Sequence, residues 1–153
     1  MFQMPITIKD ASIKNFDRLY EIETECFKQE AFGKQQIVHL LTDYNSISLV
    51  AKSDDEIAGF IIGVIYSEGN AFVGHVLTID VSPAYRRQGI GLKLLQEIEK
   101  LFMGKGVRTC CLEVREHNVA ALRLYEKCGY KKVSKLKNYY GNANGIYLEK
   151  VLA

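Results

Sequence analysis

The chain has 153 residues, of which 48% are hydrophobic and 25% charged; these are ordinary values for a globular fold with a core to bury, and they exclude intrinsic disorder. A formal net charge of +2 is too small to imply a nucleic-acid partner, and no apolar run reaches the roughly 18 residues that cross a bilayer. With Gln3, Lys9 and Asp10 near the start, unlike a secretory leader, the expectation is one soluble cytoplasmic domain over residues 1–153, its oligomeric state open.

Residues 6–10 read as a first strand. Ser12 or Asn15 is placed to cap a helix with apolar positions Phe16, Leu19, Tyr20, Ile22, Cys26 and Phe27. Gly33 interrupts, and Ile37, Leu40 and Leu41 mark a second short helix. Residues 46–52 alternate like a strand, 53–56 form a polar hairpin turn, and 57–67 form a longer apolar strand. After a turn at 68–70, Val73, His75, Leu77, Ile79 and Val81 fall on every second position of another strand, which Ser82 and Pro83 stop. Ile90, Leu94, Leu95, Ile98 and Leu101 then repeat at helical spacing until Gly104-Lys105-Gly106. A strand at 108–115, a helix from about Val119 to Cys128 ended by Gly129, and strands at 130–136 and 145–151 complete the chain.

The four cysteines, Cys26, Cys110, Cys111 and Cys128, include no CxxC pair, and adjacent Cys110 and Cys111 point to opposite faces of a strand. Free thiols in a reducing compartment fit this better than a metal site or a disulfide framework.

Between the strand that ends at Val81 and the helix that follows it lies Arg86-Arg87-Gln88-Gly89-Ile90-Gly91. Gly89 and Gly91 let backbone approach a ligand closely, the first helical turn offers N–H groups without intrahelical partners, and the arginines add charge. Together these make a pyrophosphate site, although an ordinary strand-turn-helix would need the same glycines. A P-loop is excluded because Gly104-Lys105 is followed by Gly106 rather than Ser or Thr, and no Rossmann fingerprint is present.

The six residues fit R/Q-x-x-G-x-G/A, and an ordered series surrounds them. It comprises Ile79-Asp80-Val81-Ser82-Pro83, Leu112-Glu113-Val114-Arg115, Asn118, Ala121, Leu124-Tyr125-Glu126, Gly129-Tyr130 and Tyr139-Tyr140. Over nearly its whole length the chain resembles the GCN5-related N-acetyltransferase (GNAT) family, and within it the RimI-type and Ard-type protein N-α-acetyltransferases. The resemblance implies a mixed α/β fold with a central, mostly antiparallel sheet, a splayed parallel strand pair and helices on both faces. It implies acetyl-CoA as cosubstrate, its pyrophosphate at Arg86, Arg87, Gln88, Gly89, Ile90 and Gly91, and its pantetheine arm along backbone groups of Ile79, Asp80 and Val81. Backbone N–H groups there would also hold the thioester oxygen.

Three residues carry the chemistry that acetyl transfer to an amine needs. Glu113 is a carboxylate within an apolar strand, which faces water, pairs with Arg115, or serves a reaction. In the resembling enzymes the matching glutamate is the base. His75 is either a hydrogen-bonded core histidine or a second base, since imidazole titrates near neutrality, and Ard-type enzymes share the segment Gly74-His75-Val76. Tyr125 either packs its helix on the sheet or, as the resemblance implies, contacts the cofactor and protonates the leaving sulfur. Asn118 is placed to cap the same helix and to contact the cofactor.

The resemblance makes the acceptor the α-amine of a protein or peptide, with a lysine side chain, a small amine or a non-catalytic acyl-CoA scaffold as alternatives. Tyr139 and Tyr140 correspond to a pair that closes over the acceptor backbone. Residues 27–32, with Phe27, stand where relatives carry a proline-containing wall of the acceptor pocket. The proline is absent here, and Gln29 or Glu30 takes the place of an acceptor-binding glutamate.

Overall fold

The computed structural model describes residues 5–27 and 31–152. In chain order the elements are β1 (Ile6–Asp10), α1 (Phe16–Cys26), α2 (Lys34–Thr42), β2 (Ser46–Ser53), β3 (Glu56–Glu68), β4 (Ala71–Val81), α3 (Ile90–Gly104), β5 (Val107–Arg115), α4 (Val119–Lys127), β6 (Lys131–Leu136) and β7 (Gly145–Val151). The strands form one seven-stranded sheet in the order β1-β2-β3-β4-β5-β7-β6. Every neighbouring pair is antiparallel except β4–β5, as the resemblance implied.

Each helix turns an apolar stripe to one face of the sheet. Ile90, Leu94, Leu95, Ile98 and Phe102 of α3 enter the larger core with Ile61, Val76, Cys110, Leu112 and Leu148, and Leu122 of α4 joins them. On the other face Leu19 and Ile22 of α1 pack against Val50, Phe60 and Ile62, with Leu40 and Leu41 of α2 at the margin. Leu101, read from periodicity as a core position, is exposed; Phe102 fills that place. Its ring lies so close to Gly74 that an added Cβ would sit 2.6 Å away, which is why β4 has a glycine there. Of the two possible caps, Ser12 accepts from Lys14 N–H and Asn15 answers from its own side chain, closing a reciprocal box around a 3-10 turn rather than capping α1 itself.

Two features of β4 create the space for a site. Its pairing with β5 runs only from Phe72↔Val107 to His75↔Cys111. Beyond that point each strand stays with its outer neighbour, β4 with β3 as far as Val81↔Gly59 and β5 with β7 as far as Arg115↔Gly145. Residues 76–81 and 112–115 therefore diverge across a gap. The second feature is a bulge: Val76 pairs with Gly63 and Thr78 with Ile62, leaving Leu77 as an extra residue.

The bulge overturns the unbroken alternation expected from sequence. Before it, Gly74 faces Phe102 of α3; after it, Ile79 and Val81 face α3, beside Gly91. His75 is thus not in phase with Ile79, because the extra residue reverses which face each position serves. It lies on the opposite face, the one that also receives Thr78, Asp80 and Glu113.

Candidate active site

The gap between β4 and β5 widens into a cleft of about 540 Å³. Residues 76–79 of β4 form one wall and 112–115 of β5 the other. Asn118, Ala121 and Tyr125, from α4 and its cap, complete the lining together with Phe27, Phe32, Tyr139 and Tyr140.

At its centre His75 Nε2 and Glu113 Oε1 lie 2.8 Å apart, the ring N–H donating to the carboxylate. The contact reaches across the point where the two strands begin to splay. Glu113 is on the cleft wall, and His75 reaches it from the last pair of the β4–β5 ladder. Both side chains are mostly buried, 15% and 23% exposed, which strengthens the hydrogen bond relative to one in water. A hydrogen bond from Tyr139 also reaches Glu113; desolvation first, then the charge of Glu113 and that bond, hold the Tyr139 phenol above its ordinary range.

Tyr125 is on the cleft wall and packs edge-on against Tyr130, ring centroids 5.9 Å apart. Burial, with smaller contributions from Cys128 and Asp80, pushes its phenol well up, so it stays protonated through the neutral range. Asn118 caps α4, its Oδ1 accepting from Ala121 N–H at 3.2 Å. Tyr139 and Tyr140 meet at 4.9 Å and 86°, and the Arg115 guanidinium lies 4.9 Å from the Tyr140 ring. Desolvation raises Tyr140 to about 12.

The Arg86–Gly91 turn sits at the start of α3. Gly89 is its N-cap at φ +77°, and no side chain caps the first turn, so those N–H groups remain available to an anion. Nothing lies within 4 Å of where a Gly89 Cβ would be, which leaves open room for a bulky ligand. Arg87 also adopts a left-handed conformation, φ +64°, an uncommon one for a side chain of that size. Arg86 folds back: its Nε donates to Val81 O at 3.2 Å and its Nη2 contacts Cys26 Sγ at 3.5 Å. The Val81 carbonyl, expected to meet the pantetheine arm, accepts this bond from Arg86. The open strand edges, the uncapped helix start and the room beside Gly89 fit acetyl-CoA.

The site residues Gln29 and Glu30 lie outside the described residues. Glu23 and Thr78, absent from the sequence reading, both line the cleft. Glu23 is 1% exposed, and Thr78 Oγ1 donates to it at 3.2 Å and approaches Asp80 Oδ1. Asp80, whose backbone alone drew attention, buries its carboxyl here. Desolvation, then a hydrogen bond with Glu23 and that group's charge, raise it well above the carboxylate range. A signal existed: Glu23 shares the apolar face of α1 with Leu19 and Ile22, where a carboxyl needs a partner. All four cysteines are free, and among the described residues no group of three or more His, Cys, Asp or Glu is arranged to hold a metal ion.

The chain is 32% identical over 150 residues to an N-alpha-acetyltransferase of Sulfurisphaera tokodaii, covering 92% of this chain and 89% of that one. It superposes on the crystal structure of Ard1 from Thermoplasma volcanium with a TM-score of 0.87 at 26% identity, covering 97% of this chain and 98% of that one. The fold is shared with Arabidopsis thaliana NAA60 in complex with acetyl-CoA, TM-score 0.86 at 21% identity, covering 96% and 99% of the two chains. The family model described as Acetyltransferase (GNAT) family matches residues 16–130, a span that takes in α1, the splayed strands, the Arg86–Gly91 turn and Tyr125. The chain belongs to the GNAT acetyltransferase family.

Proposed function

We propose that the chain, acting as one domain, transfers the acetyl group of acetyl-CoA to the α-amine of a protein or peptide N-terminus. The observation that carries this reading is the 2.8 Å His75–Glu113 pair, with its carboxylate on the wall of a cleft that Tyr125 also lines. The N-alpha-acetyltransferase relative supports the choice of acceptor. Free cysteines suit the reducing cytoplasm as its compartment.

In this reading the acceptor amine enters between Phe27, Phe32 and the Tyr139-Tyr140 pair. Glu113, oriented by His75 and Tyr139, takes the proton that the amine loses, directly or through one water. The amine nitrogen bonds to the thioester carbon and the carbon–sulfur bond breaks. Tyr125, kept protonated by burial, gives its proton to the departing sulfur. Backbone groups along 76–79, unpaired across the gap, face the developing oxyanion. An α-amine has an ordinary pKa of about 7.7–8.0, whereas a lysine amine sits near 10.4, so a carboxylate base is better matched to the former.

The test offers acetyl-CoA with short peptides, each prepared with a free and with a blocked α-amine and carrying an internal lysine. Free N-termini are expected to be acetylated and blocked ones spared. Faster acetylation of blocked peptides or of free polyamines would overturn the assignment.

A further inference from the structure

Glu23 takes no part in the chemistry above, yet it is buried on the cleft wall and bonded in three directions. Its backbone carbonyl accepts from Phe27 N–H at 2.9 Å, where α1 ends. Its carboxyl Oε2 accepts from Phe32 N–H at 3.0 Å, and Oε1 accepts from Thr78 Oγ1 at 3.2 Å. Phe32 precedes α2, so its N–H has no place in the hydrogen bonding of either helix. One residue therefore touches both aromatic positions at the acceptor end and the bulged stretch of β4 facing them.

We propose that Glu23 is a positioning residue for the acceptor: its carboxyl holds Phe32 at a fixed distance from Thr78, and so shapes an apolar slot that favours N-termini with an apolar first side chain. This rests on the N-terminal reading of the acceptor. The physical reasons are three. A carboxyl on the apolar face of α1 costs free energy unless its oxygens are bonded, and here both are. The two groups it joins, Phe32 before α2 and Thr78 on β4, belong to different elements that both line the cleft, so the carboxyl fixes one against the other. Phe27 and Phe32, which it holds, share that lining with Tyr139 and Tyr140, an aromatic surface complementary to apolar side chains.

The test is steady-state kinetics at saturating acetyl-CoA with peptides beginning in Leu, Met, Ser or Asp. Glu23→Ala is expected to raise KM for Leu- and Met-first peptides about tenfold, the scale of one hydrogen bond to a carboxylate, with kcat changed less than about threefold. Ser- and Asp-first peptides should change little, so the ranking flattens. Glu23→Gln, whose amide oxygen can still accept from Phe32, should recover most of the preference. Thr78→Val releases only the β4 side and should flatten the ranking partway; it carries the test should Glu23→Ala fail to bind acetyl-CoA at its wild-type Kd. An unchanged ranking in variants with wild-type acetyl-CoA affinity would overturn the proposal, as would a fall in kcat at constant KM. If the wild-type enzyme preferred blocked peptides, the acceptor reading would fall and this inference with it.

Discussion

In the reaction proposed above, Glu113 meets the acceptor and His75 holds Glu113. The carboxylate lines the cleft, and the imidazole and the Tyr139 phenol both bond to it. Replacing Glu113 with Gln keeps the shape and removes the base, so kcat is expected to fall on the order of 10²–10⁴-fold with acetyl-CoA affinity nearly unchanged. His75→Gln should cost less, about tenfold, because an amide N–H can still orient the carboxylate. Tyr125→Phe should lower kcat as well, and the raised phenol means the wild-type rate shows no descending limb from Tyr125 below about pH 10. Stopped-time assays with a free N-terminal peptide measure all three; losses below about threefold in both Glu113→Gln and Tyr125→Phe would return these residues to structural roles.

At the level of elements, the start of α3 and the divergence of β4 from β5 do most to define the site. Gly89→Asp places a side chain at φ +77° and a negative charge where the helix start would attract phosphate. Acetyl-CoA affinity, measured by calorimetry, is expected to fall at least about tenfold, while stability falls by only about 1 kcal/mol. Much of this was readable in the sequence because it is written locally: the glycines, the helical period after Ile90, the cap at Asn118 and the Leu112–Arg115 strand each depend on residues close together in the chain. What escaped was written between distant segments. The bulge at Leu77 follows from how β3 and β4 pair, and nothing in the alternation of apolar residues announces it. The bond from Thr78 to Glu23 joins positions 55 apart, and Arg86 turning back to Val81 requires a chain already folded.

Across the whole molecule, Asp80 ties the helical layer of α1 to the sheet, and it makes global stability depend on pH. Its carboxyl is 1% exposed and its pKa is raised by desolvation and by Glu23, so the folded state favours the protonated acid. That contribution is complete below the ordinary aspartate pKa of about 3.9 and is lost as pH rises through the higher folded value. Asp80→Asn preserves the size of the side chain but cannot ionise. Urea unfolding of both proteins from pH 4 to pH 9 should show the variant gaining on the wild type as pH rises, by at most about 1.4 kcal/mol per pH unit, before the difference levels off. A difference that stays constant, or shrinks with pH, would show that Asp80 folds as a carboxylate.

Leu77 also bears on how this chain can change length. Removing it would leave every side chain of β4 on its present face, because His75 and Thr78 would then stand two positions apart in a regular pleat. What deletion would take away is the bulge itself, and with it the local bend and added twist in the stretch where β4 parts from β5. Substitution at position 77 keeps that bend whatever the letter; deletion straightens the strand and narrows the gap without disturbing which groups share a side.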